Sequence, residues 1–316
     1  MNGKESPLLP PHQRPVSRVC IRRAESYTVD LAGVIVESLR EFHIPVQGKS
    51  VLLKPNFVGL DSTGAMNTSP AVAGAAREAF LRLGARRVTV AEGPALERDT
   101  WAILEWIRLR DYIGPLDRNF TDLNTDHVRQ VELRTRATTL HRLYFPESVL
   151  GTDFLVSMPK LKTHRWAGVS LSLKNLFGIV PGSCYGWPKN ILHWAQIPRA
   201  ILDIASTVRP DFAIVDGIVG MEGEGPLDGK PKNTGLLVMG DDPVAVDATC
   251  ARIMGIRPER IGYLKAAGCL LGHLREENIR QLGEPLASAT TPFELPSTFR
   301  KLATSPDKCV MKAGAC

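Results

Sequence analysis

The sequence predicts an α/β protein: a mostly parallel, doubly wound sheet flanked by helices, with a small antiparallel insertion. Two observations carry that prediction. Short apolar runs of strand length alternate with amphipathic stretches of helix length, beginning with residues 19–21, 30–42 and 51–53. Several of the apolar runs also end abruptly in charged or amide side chains, as in Leu53-Lys-Pro-Asn56, Ala91-Glu-Gly93, Ser157-Met-Pro-Lys160 and Val215-Asp-Gly217. Open α/β sheets place their sites at that edge.

The elements follow in order. Residues 1–16 are polar and proline-rich and are expected to be a disordered lead-in. Residues 17–283 are expected to form one α/β domain, and residues 284–316 an irregular tail. Leu31, Val34, Ile35, Leu39 and Phe42 recur at helical spacing, and Gly48 separates that helix from the strand 51–53. Ser69 followed by Pro70 suits a helix N-cap and first position, and Gly84 suits its stop. A strand over 87–91 and a helix over 100–111 come next. Residues 115–150 alternate loosely, which suggests half-exposed antiparallel strands. Residues 153–158 return to the buried-strand pattern. The aromatic, glycine- and proline-bearing run 183–190 reads as a lid or a packed loop. A helix over 191–208, kinked at Pro198, leads to a strand over 211–215. Five glycines between 217 and 233 suggest a long flexible loop before the strand 235–239. Asp242-Pro243 opens a helix reaching residue 254, and a short helix follows over 259–267.

With 316 residues, 44% apolar and 23% charged, the chain can bury a sizeable core. Its formal charge of +6 is modest and contains no Lys/Arg block, so no nucleic-acid partner is expected. No apolar run reaches membrane-spanning length, and residues 1–15 contain no apolar secretory core, so a cytoplasmic location is expected. The cysteines Cys20, Cys184, Cys250, Cys269, Cys309 and Cys316 form no Cys-x-x-Cys and read as reduced thiols.

The stretch that organises the rest is Ser157-Met-Pro-Lys-Leu-Lys-Thr-His164. On an extended chain Lys160, Lys162 and His164 share a face. Three cations on one face repel unless an anion lies among them; the alternative is a solvated edge strand protected by lysines. Lys54, Lys174 and the amides Asn56 and Asn175 repeat the pattern, so a phosphate- or carboxylate-bearing ligand is expected there. Ser69 heads a helix whose backbone N–H groups attract anions, although capping alone accounts for it. Glu92, Asp216 and Glu222 follow strand ends and are candidates to neutralise lysines, to act as a base or to shape turns. Asp247 lies in the apolar run Val244-Ala-Val-Asp-Ala-Thr-Cys, so it requires a partner, for which a lysine of the cluster is a candidate. His164, Asp216 and Asp247 are the candidates for proton transfer. No His/Cys cluster accompanies His164, and no metal site is expected.

Together these stretches resemble the bacterial and archaeal family known as domain of unknown function 362. The matching pieces are Val51-Leu-Leu-Lys-Pro-Asn-Phe57, Thr68-Ser-Pro70, Val88-Thr-Val-Ala-Glu-Gly93, Pro159-Lys-Leu-Lys-Thr-His164, Leu173-Lys-Asn-Leu-Phe-Gly178, Val215-Asp-Gly217, Gly223-Glu-Gly-Pro226 and Asp242-Pro-Val-Ala-Val-Asp247. The resemblance implies an α/β domain with no settled activity. Many members carry a ferredoxin-like Cys-x-x-Cys segment, which this chain lacks, so an iron–sulfur cluster is not expected. The Thr68-Ser-Pro start and the strand ending at Glu92-Gly93 are also similar to the N-terminal half of nickel-pincer lactate racemases. Three functions stay open: an enzyme acting on an anionic small molecule, a non-catalytic binding or accessory protein for a phosphorylated cofactor, and an iron–sulfur or metal-dependent redox protein.

Overall fold

The computed structural model describes residues 15–304. The expected lead-in thus lies almost wholly outside the described residues, as do Cys309 and Cys316. A mixed, mostly parallel sheet of ten strands forms the centre. Its main path runs β12 (Ile279–Gly283), β1 (Ser17–Arg23), β11 (Asp228–Gly240), β10 (Phe212–Glu224), β7 (Phe154–Ser157), β2 (Ser50–Lys54), β3 (Arg87–Glu92) and β4 (Phe120–Asp122). The block β10-β7-β2-β3-β4 is parallel throughout, and β11 is antiparallel to both of its neighbours. Beside β10, the chain of β7 turns at Pro159 and continues as β8 (Lys160–His164), which folds back into β9 (Gly168–Ser170). A separate antiparallel pair, β5 (Val128–Glu132) with β6 (Arg142–Pro146), is the expected insertion.

Helices cover both faces because the strands are apolar on both. Val51, Leu53, Val88, Val90, Val156 and Ile214 pack on one side with α1 (Leu31–Glu41), α2 (Pro70–Arg82) and α3 (Thr100–Trp106). Leu52, Ala91, Leu155, Val215 and Val238 pack on the other with α4 (Ile197–Val208), α5 (Pro243–Ile253) and α6 (Gly262–Leu270). Asp30, Ser69 and Asp242 cap α1, α2 and α5 by accepting first-turn N–H groups.

Four stretches differ from the sequence pattern. The helix expected over 100–111 breaks where Arg108 takes φ 54°, leaving α3 and a turn at Arg110–Ile113. The helix expected over 191–208 is not kinked at Pro198. Gln196, at φ 67°, separates Asn190–Trp194 from α4, and Pro198 occupies the first turn of α4, where a missing N–H is harmless. The loop expected from Gly217 is the long β10–β11 hairpin. Its glycines let β8 lie close: a Cβ on Gly217 would meet Leu161 and Leu236, and one on Gly220 would meet the Leu161 carbonyl. The tail expected to be irregular carries helical turns at Leu286–Ala289 and Ser297–Thr304 and buries Phe293 and Phe299.

Candidate functional site

Parallel pairing sets the carboxyl ends of β7, β2 and β3 side by side, and each end carries a polar residue: Ser157, Lys54 and Glu92. Lys54 and Glu92 are fully buried and paired at 2.7 Å. Lys54 Nζ also donates to Asn175 Oδ1 at 2.9 Å and to the Pro55 carbonyl at 2.8 Å. Glu92 accepts the backbone N–H groups of Phe57 and Gly93. Asn175 Nδ2 donates back to the Lys54 carbonyl and to Ser157 Oγ. Gly178 closes over this pair so tightly that a Cβ would strike Glu92 and Lys54.

A second buried pair forms next to it. Lys160 Nζ lies 2.8 Å from Asp216 Oδ2, and Tyr27 Oη bridges both residues. Asp216 also accepts the backbone N–H of Ser69 at 2.8 Å and that of Ile218 at 3.2 Å. Ser69 therefore serves twice, its Oγ capping α2 and its N–H holding Asp216.

Three further lysines have no carboxylate partner among the described residues. Lys162, at the centre of β8, is 1% exposed, and its Nζ donates only to the Met66 carbonyl at 2.9 Å. Lys189 is equally buried and donates to the Gly93 and Gly178 carbonyls at 2.6 and 3.3 Å. Lys174 is half-buried, 4.2 Å from the Phe177 ring centroid, and makes no hydrogen bond or ion pair among the described residues. Burial, reinforced by Lys174 and Lys160, pushes the Lys162 amine down to about 7. Burial holds Lys189 at about 7, and burial with Lys54 nearby holds Lys174 at about 8.

His164 ends β8, buried at 3% exposure. Burial, then Lys174, Lys162, Arg165 and His193, drives its pKa well below the usual imidazole range. His193 approaches from the turn Asn190–Trp194, where Trp166 lies 5.9 Å from the His193 ring and 5.9 Å from the His164 ring.

The structure thus joins Lys54, Glu92 and Asn175 in one hydrogen-bonded set and Lys160 and Asp216 in another, with Lys162, Lys174 and His164 close enough to shift one another's protonation. Asn56 stands beside them at the end of β2, its side-chain oxygen buried without a hydrogen-bond partner. Two expectations change. Asp247 pairs with no lysine among the described residues; it accepts from Ser172 N, Ser172 Oγ and Leu173 N at 2.5–3.1 Å and so fixes the turn Ser172–Asn175 that presents Lys174 and Asn175. Burial raises its carboxyl to about 7. Glu222 lies along the hairpin arm, bound to Lys232 at 3.3 Å and to the Glu294 N–H, apart from the lysines. Sequence reasoning missed Tyr27, Lys189 and His193. The signal for Lys189 was a lysine inside an aromatic, proline-bearing loop; Tyr27 and His193 carried none.

The described cysteines give no ligand set for a cluster. Cys20 and Cys250 are buried on opposite faces of the sheet, Cys184 and Cys269 are exposed, and no three His, Cys, Asp or Glu side chains gather among the described residues.

The arrangement defines a class: an α/β protein with a lysine-rich, partly neutralised site at the carboxyl edge of its sheet. The chain belongs to the family described as Domain of unknown function (DUF362), whose model matches residues 51–252. It is 27% identical to the "Thylakoid-associated protein sll1697" of Synechocystis sp. over 311 residues, covering 90% of this chain and 93% of that protein. Among solved structures it is similar to the lactate racemase apoprotein from Thermoanaerobacterium thermosaccharolyticum, with TM-score 0.44 and 15% identity, over 76% of this chain and 57% of that one. A Thermotoga maritima protein matches with TM-score 0.41 and 14% identity, over 74% of this chain and 61% of that one. Among the described residues no helix is long and apolar enough to cross a membrane.

Proposed function

We propose that this protein binds an anionic small molecule, bearing phosphate or carboxylate, in the Lys/His pocket and acts on it as an enzyme. One observation carries the reading: Lys162, Lys174 and Lys189 are clustered with no carboxylate partner among the described residues. A buried ammonium without a counter-charge is costly. The ligand-free protein limits that cost by shedding protons, as the lowered amines indicate, and a bound anion would restore them. Amines poised at about 7 and 8 also suit proton transfer near neutral pH, which favours an enzyme over a passive carrier. Asn56 and Asn175 would orient the ligand. Cys20, Cys184 and Cys250 are free thiols, which fits a reducing compartment, and we keep a cytoplasmic location on that ground.

The test is native anaerobic purification, with mass spectrometry of any released small molecule, metal analysis and an absorption spectrum. Thermal-shift titration with inorganic phosphate, pyrophosphate and small carboxylates follows. An anion at 100 times its Kd stabilises by about 2.7 kcal/mol, and Lys162→Met or Lys174→Met should abolish that gain. No response of the parent protein to any of these anions, or a stoichiometric metal chromophore, would sink the reading.

A further inference from the structure

His164 is positioned by its own turn. Strand β8 passes through Arg165-Trp-Ala167 into β9, and in that turn the backbone N–H groups of Trp166 and Ala167 both donate to His164 Nδ1 at 3.1 Å. A ring nitrogen that accepts hydrogen bonds carries no hydrogen, so the neutral ring holds its proton on Nε2. Nε2 has no partner among the described residues. The charged groups that face the ring are cationic or titrate to cations: Lys162 on the same strand, Arg165 next in the chain, Lys174 from Ser172–Asn175, and His193 from Asn190–Trp194. Arg165 is paired across the hairpin with Asp228. Protonating Nδ1 would break two backbone hydrogen bonds and add a cation to this group.

We propose that His164 is a fixed, neutral hydrogen-bond donor that recognises an unprotonated oxygen of the bound anion, and that the pocket's proton-exchanging groups are the amines of Lys162 and Lys174. This deepens the anion-site reading and rests on it. It moves His164 from proton transfer to recognition: the ligand atom at Nε2 must be an acceptor, such as a carboxylate, phosphoryl or carbonyl oxygen. While the turn holds, neither ring nitrogen offers a lone pair to a metal or a substrate proton. Among the described residues Lys162 has a single hydrogen bond, to a backbone carbonyl, with Lys174, Lys160, Asp61 and Glu92 acting on it at longer range, and Lys174, with Lys54 nearby, has none, so each amine can take up or release a proton without breaking an ion pair.

Two measurements on the full chain test this. The first is the set of ring nitrogen shifts of His164 from 15N-histidine NMR between about pH 5.5 and pH 9, assigned by the signals absent from His164→Gln. The expected result is the Nε2–H tautomer throughout, with no titration; a midpoint near the usual imidazole pKa, or the Nδ1–H tautomer, overturns the proposal. The second is calorimetric titration with sulfate, which stays a dianion over this range. Affinity should be flat below about pH 6.5 and fall roughly tenfold or more toward pH 9 as the two amines lose protons. His164→Gln, whose amide also donates, should stay within about threefold of the parent, and His164→Leu should lose about tenfold. A pH inflection near 6.5 that disappears in His164→Gln would identify an imidazolium as the anion partner and overturn the proposal. If sulfate does not bind at any pH, the anion-site reading fails and the recognition role fails with it, while the ring spectrum still decides the protonation state of His164.

Discussion

The Lys54–Glu92 pair makes a sharp demand on stability, and Glu92→Gln tests it. The carboxylate meets one ammonium and two backbone N–H groups at 2.7–2.9 Å, with both side chains removed from water. Glutamine keeps the shape but supplies one acceptor where three donors converge. Breaking a buried pair from one side costs about 3–5 kcal/mol. A second route gives the same scale. If Lys54 escapes by losing its proton, the cost relative to the unfolded chain is about 4.6 kcal/mol at pH 7 and about 1.9 kcal/mol at pH 9. Burial already pulls the Lys54 pKa down, so that route is open. Urea unfolding of parent and variant at both pH values is the assay. The expected loss is about 3–5 kcal/mol at pH 7, shrinking by roughly 2 kcal/mol or more at pH 9. Lys54→Met with Glu92→Gln should recover most of it, because no charge is then left buried alone. A loss below about 1 kcal/mol at pH 7, or a deficit that does not change with pH, would refute the reasoning.

Two further predictions follow from the same geometry. Gly178→Ala places a methyl group against Glu92 and Lys54 and should cost about 2 kcal/mol or more in urea unfolding, whereas Gly262→Ala, with open space around its Cβ at the start of α6, should be neutral or slightly stabilising. The ligand-free protein should gain stability from pH 7 to pH 8.5, by about 1 kcal/mol per pH unit for each of Lys162 and Lys189, because the unfolded chain keeps protons that these buried amines release. Above that the gain slows, because burial holds the Cys20 and Cys250 thiols protonated in the folded state while those of the unfolded chain ionise. Lys162→Met should flatten part of the rise, and a parent curve already flat across the window would count against the lowered amines.

The lysines paired with carboxylates and those without a carboxylate partner among the described residues differ in what they hold. Lys54 and Lys160 are held by carboxylates that also gather backbone N–H groups, so they brace the ends of β2 and β3 and the start of β8 against β10. The Ser172–Asn175 turn is held from two sides, by Asp247 on Ser172 and Leu173 and by Asn175 on the β2–β7 edge. That fixes the backbone from which Lys174 extends, which under the proposed function would reduce the ordering cost of meeting a ligand.

The sequence by itself determined the layered α/β class, most strand positions and the helix starts at Ser69 and Asp242, because these depend on local periodicity and on hydrogen bonds between residues two or three apart. It also marked Lys54, Glu92, Lys160, Lys162, Lys174 and Asp216, since charge at the end of an apolar run is visible in one dimension. Only the tertiary structure decided who pairs with whom. Glu92 could be matched to Lys54 and Asp216 to Lys160 only once β2, β3, β8 and β10 were laid in register, and Asp247 went to a backbone turn because α5 packs there. The glycines from 217 to 233 misled for the same reason. Locally they signal a loop, but Gly217, Gly220 and Gly225 are needed for the close passage of β8 across the hairpin, a constraint set by a strand more than fifty residues away in the chain.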